Sequence, residues 1–409
     1  MEVDRLTPLD SFVDSRAPIC YGILKPGIHQ PGGVPVIKVK NIVGGRILED
    51  ELLKTTEKIH RKYKRSEVKG GDLLLTIRGS AGRLAMVPRS LSGANITQDT
   101  ARIRVSSDDD PLYVFYALQS PRVVRQIDLN TVGQAVKGIN IAEVRKIKLY
   151  HPELKQQNKI AKILSTWDEA IATTEQLLAN SEQQKKALMQ QLLTGKKRLP
   201  GFEGEWQKVR LRDLLTEEKA RNRDKSVTRV LSVSNKHGFV LPEEYFSKQV
   251  ASDDITNYRI VRKGQYGYNP SRINVGSFAR LDSFDEGVLS PMYVVFSIDE
   301  NKLNSDFFLA WMKSDEASQR VSSSTQGSVR DSVGFDTLCG FPFSLPPVSE
   351  QNAIAAIISV CDEQIAGYHK ILRALREEKK ALMQKLLTGS IRVKVNSEES
   401  PSNLCRGGV

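Results

Sequence analysis

Residues 157–198 of this chain recur without a gap at 351–392. QNKIAKILSTWDEAIATTEQLLANSEQQKKALMQQLLTGKKR is matched by QNAIAAIISVCDEQIAGYHKILRALREEKKALMQKLLTGSIR, with 22 identities in 42 positions at a constant offset of 194. A period this long repeats a whole domain-plus-helix unit, whereas solenoid repeats are only about 20–50 residues long. In each copy one side chain falls on a common stripe at alternating steps of four and three. The first stripe runs Ile160, Leu164, Trp167, Ile171, Thr174, Leu178, Ser181, Lys185, Leu188 and Leu192. The second runs Ile354, Ile358, Cys361, Ile365, Tyr368, Leu372, Leu375, Lys379, Leu382 and Leu386. Such spacing is a coiled-coil seam, and a helix carrying it needs a partner. Pro152 and Pro346 precede the two helices, and Gly195 and Gly389 follow them where a left-handed residue ends a helix. The economical arrangement packs the helices on each other, and a pseudo-twofold axis between the halves makes them antiparallel.

The segment between the helices is far too long for a turn and is a folded domain. The repeat extends faintly into it at the same offset. Val39, Asn41 and Gly44 match Val233, Asn235 and Gly238; Gly70, Arg78, Gly82 and Ala85 match Gly264, Arg272, Gly276 and Ala279; Gly133 matches Gly327. Each copy mixes short β-type runs (VPVIKVKNI, DLLLTIRG; TRVLSVSN, MYVVFSI) with a helical stretch (LYVFYALQSPRVVRQI; DFFLAWMKSDEASQRV). The reading is an α+β chain of two similar α/β domains, 1–151 and 199–345, separated by helices within 152–198 and 346–391. The polar, aperiodic tail 392–409 reads as disordered.

Lys plus Arg number 60 against 48 Asp plus Glu, a net charge of +12. That excess favours polyanions, nucleic acid before membrane. No apolar run approaches the roughly 18 residues that span a bilayer, and MEVDRLTPLD has neither the basic nor the apolar part of a secretory signal. Cys20, Cys339, Cys361 and Cys405 are unpaired in spacing, which suits a reducing cytoplasm and argues against zinc. The histidines (His29, His60, His151, His237, His369) show no metal-ligand spacing. No GxxxxGK(S/T) loop is present to hold ATP. Asn269-Pro270 is a fragment of the NPP(F/Y) amino-methyltransferase signature without its second Pro or aromatic, so no catalytic residue is expected.

The ordered set of features resembles the specificity subunit of type I DNA restriction–modification enzymes across nearly the whole chain. The resemblance is carried by the paired domains, the two helices and the repeated KKALMQ(Q/K)LLTG blocks at 185–195 and 379–389. PELKQQNKIAKIL and PPVSEQNAIAAII at the helix starts support it, as does GFEGEWQKVRL opening the second domain. The first domain departs from the pattern: DRLTPLDSFVD stands where the Trp206 opening stands in the second. The resemblance implies that each domain is a target-recognition domain reading one half of a bipartite double-stranded DNA target. It implies that the helices set the spacer and dock two methyltransferase subunits, joined in the full complex by two restriction subunits. S-adenosylmethionine, ATP and Mg²⁺ would then serve those subunits, with no cofactor in this chain, a cytoplasmic location and no membrane partner. A coiled-coil scaffold that binds protein alone, and a self-sufficient nuclease or methylase, are the competing classes.

Candidate DNA contacts follow from residue chemistry. TEKIHRKYKRSEVKGG offers Arg61, Lys62, Lys64 and Arg65 to phosphates. The matched strand ends offer Lys38, Lys40 and Asn41, and Ser234, Asn235 and Lys236. Glycine-rich loops after strands carry Arg78 and Arg83 in one copy and Asn269, Arg272 and Asn274 in the other; Arg reads guanine and Asn adenine in the major groove. NITQDT and LSPMY add Thr97, Gln98, Ser290 and Met292; TVGQAVKG and STQGSVRD add Gln134, Lys137, Gln326 and Arg330. Each loop has a plain structural-turn alternative. The identical blocks supply candidate docking residues Lys185, Lys186, Met189 and Gln190, and Lys379, Lys380, Met383 and Gln384, because two equal partners need two equal patches; mutual packing of the helices is the alternative.

Overall fold

The computed structural model describes residues 6–133, 137–245, 254–325 and 332–394. Most of the tail, 395–409, lies outside them. The chain forms two compact units, residues 1–174 with 371–409 and residues 175–370. The division falls inside both long helices, Leu154–Leu192 and Val348–Leu386, each 39 residues and about 58 Å long at 1.5 Å per residue. Each unit is thus one domain plus half of each helix.

Every stripe residue named above is buried or half-buried. In the first unit Ile160, Ala161 and Leu164, near the start of one helix, share a core with Leu386 and Leu387 at the end of the other. Farther along, Asp168 meets Lys379 at 2.5 Å. In the second unit Leu192 and Leu193 share a core with Ile354, Ala355 and Ile358, and Lys185 meets Asp362 at 2.5 Å. Within each unit the two helix segments therefore run antiparallel. The two ion pairs are one contact made twice with the helices exchanged, as the internal repeat requires. Lys185 and Lys379 cross the seam to a carboxylate rather than stretching along it to solvent. Gly195 and Gly389 adopt the expected left-handed conformation (φ 69° and 76°), each against an aromatic ring, Trp206 and Tyr150.

The domains share a sheet order. In the first unit Cys20–Tyr21, Thr100–Ile103, Leu73–Thr76 and Leu84–Met86 lie side by side, antiparallel. In the second the order is Leu215–Glu217, Val294–Ile298, Tyr266–Tyr268 and Phe278–Arg280. The apolar run LLLT is buried throughout, so it reads as a core strand rather than an alternating one. The helices Pro111–Leu118 and Ser305–Met312 pack on these sheets. Asp110 and Asn304 cap them by accepting from the backbone NH of Tyr113 (2.6 Å) and Phe307 (2.8 Å).

A buried glutamine ties each long helix to its domain. Gln157 Oε1 accepts from the Asp110 NH (3.0 Å), and its Nε2 donates to the carbonyl of Pro152 (2.9 Å). Gln351 does the same with the Asn304 NH (2.7 Å) and the Pro346 carbonyl (2.8 Å). This is the physical content of the repeated QN at the helix starts.

The openings also match, but out of step. Leu6–Pro8 pairs with Lys148–Tyr150, and Gln207–Arg210 with Pro342–Leu345. The following Leu9 and Leu211, both fully buried, donate their NH to the carbonyls of Ile147 (2.7 Å) and Phe341 (3.1 Å). Leu9 thus corresponds to Leu211, eight residues away from the 194 offset that holds for Ile147 and Phe341. The first domain carries that extra length, so DRLTPLDSFVD matched nothing when aligned at 194.

Candidate nucleic-acid interface

In the first unit three loops converge beyond the strand Leu73–Thr76. The backbone NH groups of Ile77 (2.8 Å) and Arg78 (3.3 Å) both donate to the Asp99 carbonyl, which ties this loop to NITQDT. The Gly79 NH donates to the Lys137 carbonyl at 3.0 Å, which ties it to TVGQAVKG. Thr76 Oγ1 braces the turn by donating to the Ser80 carbonyl (2.5 Å) and accepting from the Arg83 NH (2.9 Å). A cleft of about 650 Å³ opens here, lined by Tyr21, Leu24, Arg78, Gln98, Asp99 and Asn140 among others. Arg78 is exposed and makes no ion pair with a described residue. Its backbone NH is held by the Asp99 carbonyl at the rim of this cleft.

The second unit builds a similar cluster from different residues. Asn269 Oδ1 accepts from the Ser271 NH (3.0 Å), closing a turn, while its Nδ2 lies 3.7 Å from Met292 Sδ. The Val333 NH donates to the Pro270 carbonyl (3.0 Å). Ser277 Oγ donates to the Val233 carbonyl (2.9 Å), which brings in the hairpin Ser232–Ser234 and Gly238–Val240 with Asn235 and Lys236 exposed at its turn. Arg272 and Asn274 are exposed, and Arg272, like its counterpart Arg78, makes no ion pair with a described residue. Met292 is 62% exposed and Ser290 half-buried beside it.

Several candidates serve the fold instead. Asn41 is buried and its Oδ1 accepts from the Lys38 NH at 3.1 Å, holding a 3₁₀ turn. Ser234 is buried and accepts from the Lys236 (3.2 Å) and His237 (3.3 Å) NH groups. Thr97 is buried. These short polar side chains compete for nearby backbone groups, the usual use of Asn and Ser at turns. In the basic stretch, Arg61 pairs with Glu57 (3.0 Å), Lys64 with Glu67, and Arg65 lies over the Tyr21 ring at 5.7 Å. Lys40 and Lys62 are exposed, Lys38 is half-buried, and Arg83 reaches the Ile42 carbonyl at 3.5 Å. Gln134, Gln326 and Arg330 lie outside the described residues. Sequence reasoning passed over Tyr21, Asp99 and Asn140, which line the cleft; Asp99, directly after the noted Gln98, was the one legible signal.

The repeated blocks lie half against the cores. Met189 and Met383 pack on them, Lys185 and Lys379 are tied up in their ion pairs, and Lys186, Lys380, Gln190 and Gln384 are exposed. Gln190 Nε2 donates to Asp315 Oδ2 at 2.5 Å. Among the described residues no group of His, Cys, Asp or Glu is placed to hold a metal ion, and no helix is long and apolar enough to cross a membrane.

The architecture defines a class: a duplicated chain in which one frame, tied to paired long helices, carries two differently furnished loop clusters. The family described as the type I restriction modification DNA specificity domain matches residues 23–183 and 203–377, most of the chain, and the chain belongs to it. It is 28% identical over 157 residues to the Escherichia coli type I restriction enzyme EcoBI specificity subunit, a match covering 38% of this chain and a third (33%) of that relative's length. It is 24% identical over 358 residues to the Methanocaldococcus jannaschii MjaVIII specificity subunit, covering 80% of each. Among solved structures, the S subunit of the M. genitalium type I restriction–modification system superposes with a TM-score of 0.56 at 12% identity, covering 95% of this chain and 98% of that one.

Proposed function

We propose that this chain is the DNA-sequence specificity subunit of a type I restriction–modification complex, with each loop cluster reading one half of a bipartite target. The observation that carries the reading is the pair Arg78 and Arg272. They occupy matched positions in the two units, both exposed and both without a carboxylate partner among the described residues, in a chain of net charge +12. The same frame with different side chains at the tips suits a reader of two unlike half-sequences. The long helices give residues to both units, so their length sets the spacer between half-targets. The repeated blocks dock two methyltransferase subunits, and two restriction subunits join to complete the nuclease in the cytoplasm. Adenine methylation, with S-adenosylmethionine, and ATP- and Mg²⁺-dependent cleavage belong to those subunits; this chain contributes recognition.

The deciding experiment co-expresses the chain with its methyltransferase subunit and maps modified bases genome-wide. One bipartite methylated motif is expected. Arg78→Ala is expected to relax one half of it and Arg272→Ala the other. Inserting a heptad in both helices should lengthen the spacer and leave both half-sequences unchanged. If binding to random duplex does not weaken with added salt, the chain is a protein scaffold rather than a DNA reader.

A further inference from the structure

The first unit closes a polar pair with a side chain that the second unit lacks. In the first, Tyr116 on the helix Pro111–Leu118 is 2% exposed. Its hydroxyl donates to Asp168 Oδ2 at 2.6 Å, and the Lys379 ammonium lies 5.3 Å from its ring centre while also pairing with Asp168. Tyrosine, lysine and aspartate form a closed set: ring beneath the cation, hydroxyl on the carboxylate. Burial and the Asp168 carboxylate push the Tyr116 phenol well above its ordinary value, so it remains a donor.

The second unit repeats the lysine and the aspartate as Lys185 and Asp362, again at 2.5 Å. The repeat puts Ala310 where Tyr116 stands, on the matching helix Ser305–Met312. Beside it, one helical turn on, Lys313 and Ser314 border a cavity of about 400 Å³ whose other walls include Lys185, Met189, Asp362 and Ile365. The volume is in the range that takes a small aromatic group. Asp362 is correspondingly more open than Asp168, 58% against 45% side-chain exposure. Met189 belongs to the repeated block KKALMQ, so the cavity adjoins the docking surface proposed above.

We propose that this cavity is a receptor for a tyrosine side chain of the protein subunit that docks on the second unit, ring beneath Lys185 and hydroxyl on Asp362. The occupant is set by the chain's own template: the same two polar groups, in the same contact, already hold a phenol in the other half. The proposal rests on the reading that a protein subunit docks at the repeated blocks. It also makes the two docking sites unequal, since only the second can accept an inserted side chain.

The test uses the full chain with ¹³C-methyl methionine and p-cresol, the tyrosine side chain alone. Met189 lines the cavity and Met383, its repeat counterpart, is the internal control. A saturable shift of the Met189 methyl at roughly millimolar p-cresol is expected, with Met383 unmoved. Ala310→Tyr, which supplies the phenol from within, is expected to abolish the Met189 response; Ala310→Leu checks that filling alone weakens it. The proposal is overturned if Met189 stays silent in the parent, if both methyls respond alike, or if Ala310→Tyr still responds. On the assembled complex, Ala310→Tyr is expected to weaken one of the two methyltransferase copies by about tenfold or more. Equal loss at both copies, or at neither, rejects insertion. A parent chain that takes up no methyltransferase rejects the docking reading itself, whatever p-cresol does.

Discussion

The two units share many of the residues that hold the frame, while most loop-tip residues differ between them, Arg78 and Arg272 excepted. Gln157 and Gln351, the pairs Asp168–Lys379 and Asp362–Lys185, and Gly195 and Gly389 are the same parts used twice. At the tips, Gln98 and Asp99 of one unit are replaced by Met292 and Tyr293 of the other. The parts used twice are ones whose partners lie in the same chain.

The sharpest break of that equivalence lies at the glutamines. Among the described residues Gln351 bonds backbone only, to the Asn304 NH and the carbonyls of Lys302 and Pro346. Gln157 also donates to the Asp109 carboxylate at 2.6 Å, a buried group that His151 Nε2 contacts at 2.9 Å. Removing a partner from a buried charge costs more than removing one from a neutral carbonyl. Gln157→Leu is therefore expected to destabilise by about 2–3 kcal/mol and Gln351→Leu by about 1–2 kcal/mol. Urea denaturation with amide exchange resolved by unit checks it. Faster exchange confined to the mutated unit is expected; equal acceleration in both would show that the halves do not hold their frames separately.

Next in size is the pair of arginines. Arg78→Ala and Arg272→Ala should each cost about 1–3 kcal/mol of discrimination at one half-target and leave the other intact. Selection of bound sequences from a random pool reads this out, and a change in both half-sequences from one substitution would separate the clusters from their assigned halves.

The seam ion pairs come third. Both are partly exposed, so each is expected to contribute only about 0.5–1 kcal/mol. Tyr116 covers one of them, so a double-mutant cycle on Lys379 and Asp168 should give the larger coupling, and Tyr116→Phe should reduce it toward the Lys185–Asp362 value. Equal couplings in the parent would remove Tyr116 from the account.

The long helices, their seam and their antiparallel packing were legible because periodicity and repetition are properties of the chain alone. Each stripe residue named from spacing is buried or half-buried. The lysines on the seam were legible as positions but not as ion pairs, because their carboxylates sit on the other helix. Asn41 and Ser234 show the opposite limit. Asn and Ser offer the same hydrogen-bonding groups to a base edge and to their own backbone, and only the conformation reveals that the backbone took them. Tyr21 and Asn140 reached the cleft from distant segments, and nothing local marks them. The opening strand was hidden by eight extra residues, which a fixed offset cannot follow.

The smallest expected difference concerns acid. Glu67 sits at the basic stretch of the first unit, against Lys64 and 2.9 Å from His60 Nε2. Burial alone would raise its carboxyl, but Lys64 and then His60 outweigh burial and hold it below its ordinary value of 4.5. A carboxyl lowered on folding lends stability that is complete above the ordinary value and disappears as pH falls through the folded one. The repeat puts Val261, fully buried, at the matching place in the second unit, where nothing titrates. Glu67→Gln is therefore expected to cost a few tenths to about 1 kcal/mol at neutral pH. That deficit should shrink toward zero as pH falls below 4.5 and through the lowered folded value, where the parent's carboxyl protonates. Urea midpoints of parent and variant across that range measure it. A deficit that stays constant with pH would assign Glu67 a packing role and leave the first unit no more acid-sensitive at this position than the second.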